Sequence, residues 1–125
     1  MELNLDTPHG QLFIRSVDAE GIRIEDETYT GTIIISGDQV LPDWQVDKFE
    51  EIDEATLQVI FEMQPELVLI GCGTKQTFLP PAIQVLFLQR SIGIEVMTTD
   101  AACRTFNVLV AEGRQVVAAL LPANP

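Results

Sequence analysis

The sequence predicts an α/β domain: an antiparallel β-meander first, then helices and strands in alternation, forming a sheet with helices on its faces. Three observations carry this. Leu67 to Ile70 is a short, wholly apolar run between Pro65 and Gly71, the pattern of a strand buried on both faces. Segments of helical period alternate with such runs through the back half, which favours helices packed on one sheet. The front third instead alternates apolar and polar residues between turn signals. A chain of 125 residues, 46% apolar and with mean hydropathy +0.20, is a single domain over 1–125 that closes its own core.

Residues 1–10 are expected to be loosely ordered. Gln11 to Val17 reads as a strand, with Leu12, Ile14 and Ser16 on one face and Phe13, Arg15 and Val17 on the other. Asp18 to Gly21 is a turn and Ile22 to Glu25 a second strand. Tyr29 and Thr32 to Ile35 complete a meander with one half-wet face, closed by Ser36-Gly37-Asp38. Val40 to Glu51 is irregular, with the lone Trp44 as a lid over the core edge. Asp53 caps a helix over 54–64 that sets Leu57, Ile60 and Phe61 at core spacing and ends at Pro65. Pro81 suits the first turn of a helix reaching Ser91, with Ile83, Leu86, Phe87 and Arg90 at helical spacing. Val85 and Leu88 widen its apolar face, so the helix is expected to be largely covered, and Gly93 stops it. Ile94 to Met97 is a strand. Asp100 is placed as N-cap of a third helix, 101–112, with Gly113 at C′. Gln115 to Leu121 is the final strand.

Charge is uneven. The chain carries −12 overall with pI near 4.2; residues 1–66 hold 16 of its 19 acids against Arg15, Arg23 and Lys48. Such a surface repels nucleic acid and anionic lipid, and offers either a solvated acidic face or a docking surface for a basic partner. No apolar run approaches the roughly 20 residues that span a bilayer, so direct membrane insertion is not expected. The acidic start carries no signal or transit pattern, and the expected compartment is the cytoplasm. Cys72 and Cys103 form no CxxC pair and His9 is the sole histidine, so neither metal nor cofactor is expected.

In an open α/β sheet ligands bind beyond the carboxyl ends of the strands, which directs attention to two loops. Gly71, Cys72, Gly73, Thr74 and Lys75 follow the central strand. Exposed backbone N–H groups and Lys75 can cradle an anion there, although the spacing is not that of a P-loop and a tight glycine turn explains the same residues. Asp100, Cys103, Arg104 and Asn107 open the third helix, whose dipole favours an anion or a thiolate. If the strands ending at Ile70 and Met97 are neighbours, Cys72, Thr74, Asp100, Cys103 and Arg104 line one crevice. Asn107, in an otherwise apolar stretch, points to a buried hydrogen-bonding role.

Glu66-Leu67-Val68-Leu69-Ile70-Gly71-Cys72-Gly73-Thr74, Gly93 to Asp100, Ala101 to Leu109 and the final strand together resemble the Mth938-domain family, also called DUF498. That family includes small bacterial and archaeal proteins and a mitochondrial assembly factor for respiratory complex I. The resemblance implies a three-layer α/β fold and no established catalytic activity. The family's Gly-Thr-Gly stands here as Gly71-Cys72-Gly73. Two functions of different class follow. One is a non-catalytic, assembly-factor-like interaction protein, with protein partners that include respiratory-complex or membrane-assembly components; a homo-oligomer stays open. The other is a small-anion or small-molecule binding protein using the crevice.

A reducing compartment and the lack of a CxxC pair predict that Cys72 and Cys103 are free thiols in the native protein. Alkylation trapping followed by intact-mass measurement should show two modified cysteines after denaturation without reductant; a uniform disulfide contradicts this.

Overall fold

Two sheets and three helices build the chain in the computed structural model, which describes residues 11–123; His9 and the expected loose order of 1–10 lie outside these. Strands β1 (Ile14–Asp18), β2 (Gly21–Ile24) and β3 (Glu27–Tyr29) form an antiparallel three-stranded meander. The five-stranded sheet contains β4 (Ile33–Ile35), β5 (Val40–Leu41), β6 (Leu67–Gly71), β7 (Gly93–Met97) and β8 (Val116–Leu120), in the order β5-β4-β8-β6-β7. It is mixed: β6 runs parallel to β7 and β8, whereas β4 is antiparallel to β5 and β8.

Three layers result. On one face, Val68, Ile70, Val117 and Ala119 pack against α1 (Glu54–Glu62), α2 (Pro81–Gln89) and the segment from Trp44 to Ile52. On the other, Ile33, Ile35, Leu69, Ala118 and Leu120 meet α3 (Thr99–Ala111) and the meander. β6 and β8 lie inside the sheet with both faces covered, which is why their sequences are almost unbroken aliphatic runs.

Several predicted elements form for the predicted reason. Asp53 accepts from the Thr56 N–H at 2.8 Å while the Asp53 N–H donates to Thr56 Oγ1 at 2.9 Å, a reciprocal cap that starts α1. Pro81 opens α2, and Gly113 follows α3 with φ of 80°. The Trp44 side chain is buried, its indole N–H donating to the Thr56 carbonyl at 2.8 Å, as a lid on the core edge.

Four expectations are corrected. Ile33–Ile35 leaves the meander and pairs with β8, because three isoleucines buried on both faces fit an inner strand and not a half-wet one. A register shift between Ile14 and Ser16 breaks the alternation of β1, so Phe13, Ile14 and Val17 are all buried. Helices α1 and α2 end two residues early, each followed by a residue in the left-handed region, Gln64 and Ser91. Finally, α2 is far from covered: Phe87 is fully buried, but Leu88 is 72% and Val85 41% exposed. Its main strand contact is β7, the sheet's edge, which leaves the outer side of the helix to solvent.

The meander is fastened through Asn107. Its Oδ1 accepts the Ile14 N–H at 2.9 Å and its Nδ2 donates to the Ile14 carbonyl at 2.8 Å, so the amide acts as one rung of a ladder at the edge of β1. The site is 1% exposed, and water cannot substitute. Asn107→Leu keeps the volume but orphans both backbone groups, at about 1–3 kcal/mol each. Urea denaturation should show a loss of roughly 2–6 kcal/mol for this variant, with retained fold.

Candidate functional site

β6 and β7 are parallel with Gly71 opposite Met97, and Gly71 lies opposite Leu120 of β8 on its other side. Three strand ends therefore meet, and the two loops singled out in the sequence do lie side by side. Their meeting point is Thr99. Its hydroxyl accepts the Gly73 N–H at 2.9 Å and donates to the Leu121 carbonyl at 2.7 Å, while its own N–H donates to the Gly73 carbonyl at 2.9 Å. The Cys72 N–H reaches the Met97 carbonyl at 2.8 Å and the Leu121 N–H the Gly71 carbonyl at 3.0 Å, continuing the ladders one step past the strands.

The two glycines are required for different reasons. A Cβ on Gly71 would stand 3.0 Å from the Thr99 Cα and hydroxyl, so close approach demands glycine there. Gly73 has φ of +96° and space around it, so the backbone conformation demands it. Between them Cys72 is half-buried, its thiol donating to the Lys75 carbonyl at 3.2 Å.

The start of α3 differs from expectation. Thr98 is the N-cap, without a side-chain bond, and Asp100 lies within the first turn. Thr99, turned into the strand-end knot, is itself the first helical residue, so α3 begins two residues before the start that Asp100 would cap. Asp100 still sits favourably at the positive helix end. Cys103 is fully buried, and burial, helped by the Asp100 charge and opposed by Arg104, pushes its thiol up to about 12. It is no thiolate. Arg104 points to the exposed side of α3, and Asn107 is committed to Ile14.

The cleft against the Gly71–Gln76 loop therefore has a different far wall from the one expected. It encloses about 930 Å³ between Cys72–Thr77 and the segment Asp47–Glu50, with Thr30, Leu121 and Pro122. Asp100, Cys103, Arg104 and Asn107 do not line it. Glu51 shapes this wall by accepting the N–H groups of Asp47 at 2.7 Å and Lys48 at 3.1 Å, and those two bonds hold its carboxyl below the usual range. Asp47 and Glu50 stand with Lys48 and Lys75 along the cleft, a balanced set that gives a free anion little net attraction. Among the described residues no cluster of three or more His, Cys, Asp or Glu is placed to hold a metal. Thr99, the centre of the knot, is absent from the set the sequence singles out. Two consecutive threonines before Asp100 were the available signal, since they offer competing helix starts.

The layering and strand order define a three-layer α/β protein, and solved structures share it. A Bordetella pertussis protein described as a Mth938-like domain superposes with a TM-score of 0.82 at 27% identity, covering 99% of this chain and 94% of that one. The family described as "Protein of unknown function (DUF498/DUF598)" matches residues 14–121, and the chain belongs to that family. It is 33% identical to mouse NADH dehydrogenase (ubiquinone) 1 alpha subcomplex assembly factor 3 over 89% of this chain and 60% of that protein. It is 36% identical to the 13 kDa major membrane protein of Francisella tularensis subsp. holarctica (strain LVS) over 70% of this chain and 72% of that one. The chain thus spans about three fifths of the length of the assembly factor it matches.

The buried thiol gives a pH signature. Below its ordinary value of 9.0, folded and unfolded chains both hold the Cys103 proton and stability owes it no pH dependence. Above that, the unfolded chain releases a proton that the native state retains, so stability falls as pH rises, by up to about 1.4 kcal/mol per pH unit, until about 12. The stability difference between wild type and Cys103→Ala should be flat below pH 9 and shrink above it in denaturant titrations.

Proposed function

We propose that this chain is a non-catalytic interaction protein of assembly-factor type, docking on subunits of a larger complex. The observation that carries this reading is the likeness to the assembly factor, 33% identity over 89% of the chain, which makes the shared part this domain itself. The geometry supports it. At the strand ends, where an α/β enzyme keeps its reactive groups, Thr99 and the Cys72 thiol are committed to backbone partners. No general base is hydrogen-bonded to the thiol, whose proton goes to a carbonyl.

The partners we propose are protein components of a respiratory or membrane-associated assembly. A net charge of −12 argues against nucleic acid. Among the described residues no helix is long and apolar enough to cross a membrane. The compartment we propose is the cytoplasm, a reducing space that suits two free thiols. An anion held by Gly71 to Lys75 is the weaker reading, because the two lysines lining that cleft share it with two carboxylates.

Affinity capture of the tagged chain from its host after cross-linking, with quantitative mass spectrometry, should recover a reproducible protein complex. Deleting the gene should lower the level of that complex. Phosphate titrated to tens of millimolar should leave the Gly73 and Thr74 amide resonances unshifted. Recovery of the chain alone, together with saturable shifts at these amides, overturns the proposal.

A further inference from the structure

An open apolar groove lies beside the Trp44 segment, at the edge of the core. It encloses about 600 Å³ between the Leu41–Gln45 stretch and the first turns of α1, with Ile34, Leu41, Pro42, Trp44, Ala55 and Val59 as its apolar walls. The volume is that of a site for one or more large side chains. Its floor is rigid: Trp44 is held by its bond to the Thr56 carbonyl, and Ile34 belongs to an inner strand of the five-stranded sheet. A fixed tryptophan beside aliphatic walls is the composition of an interface hot spot.

The surroundings of the groove select its occupant. The stretch 43–54, which joins the two walls, carries Asp43, Asp47, Glu50, Glu51, Asp53 and Glu54 against the single base Lys48; Asp43 lines the groove itself, and Asp47 and Glu50 line the neighbouring cleft. All six carboxylates are exposed. Glu51 and Asp53 bind backbone N–H groups of their own segment, and Glu54 lies 3.8 Å from Arg90. Asp43, Asp47 and Glu50 make no ion pair within the described residues. A second copy of this acidic chain would bring like charge to like charge. A basic partner is steered in, and its apolar anchor then enters the groove.

We propose that this groove seats the apolar anchor of a basic segment of a partner protein, with Trp44 as the floor, Asp43 at its edge and the neighbouring carboxylates of 43–54 as the field that draws the segment in. This rests on the reading of the chain as an interaction protein and names the surface by which it interacts. The mode is that of a short segment laid in a groove, its large aliphatic or aromatic residue buried and its lysines or arginines at the edge.

Trp44 is the one tryptophan in the chain, so its emission reports occupancy of the groove. The probe is a short synthetic peptide of leucines and lysines at helical spacing. The controls are the same peptide with glutamate for lysine, and with serine for leucine. The basic, leucine-bearing peptide should bind and shift the Trp44 emission, and the two controls should bind at least about tenfold more weakly. Ala55→Trp fills the groove from the exposed first turn of α1 and should weaken binding by roughly tenfold or more, read by peptide anisotropy. Asp43→Lys should weaken it several-fold and flatten its salt dependence. Thermal melts confirm that the variants fold, and Gln58→Ala on the same helix serves as a second, neutral variant should Ala55→Trp unfold, with Val59→Lys then replacing it. Absence of binding, equal binding of the acidic or serine peptide, or binding that leaves Trp44 emission unchanged overturns the proposal. Capture from the host separates the two readings. A host complex that survives Ala55→Trp removes the groove but keeps the interaction protein. Peptide binding at the groove with no host complex removes the interaction protein but keeps the groove.

Discussion

Thr99 places one hydroxyl where three chain segments end, and the arrangement of the strand ends follows from it. The Gly73 N–H and the Leu121 carbonyl both lie past the last rung of their ladders. A single side chain that accepts from one and donates to the other satisfies both. Its approach excludes any Cβ at Gly71, and α3 begins at Thr99 itself, two residues ahead of the start that Asp100 would cap. The loop that resembles a ligand cradle is therefore first a device for closing a sheet.

Much of the fold was legible because its determinants are local. The Asp53–Thr56 cap, the proline at the start of α2, the glycine after α3 and the aliphatic run of β6 are each read within a few residues. Asn107 stood out as an amide in an apolar stripe, and its part in fastening β1 is the role that such a residue implies. Long-range choices were not legible. Ile33–Ile35 has the same composition whether it extends a meander or inserts beside β8, and only pairing over more than eighty residues decides. The far wall of the Gly71–Gln76 cleft comes from the irregular segment around Lys48, whose course no periodicity reveals. At the start of α3, capping preference favoured Asp100, and a tertiary demand on Thr99 overrode it.

Charge and packing divide the molecule's labour. The sheet and α3 hold almost no ionisable side chains inside, and their buried polar groups, Thr99 and Asn107, each serve two backbone partners. The acids lie instead on the front half, in exposed positions where they cost little to solvate. Such an arrangement leaves the surface free to serve recognition without disturbing the core.

The two sheets share no ladder. Besides apolar contact, the described backbone ties between them are the bond from the Leu12 N–H to the Gly37 carbonyl and the bracket that α3 places on Ile14. The meander thus rests on α3 and the sheet through side-chain packing and these few bonds, a looser attachment than the ladder that pairs β6 with β8. Amide hydrogens of β1 to β3 would then exchange through a partial opening of lower free energy than global unfolding, and the parallel core would set the slowest rates. A protease should meet this molecule first at its meander, long before the central strands yield.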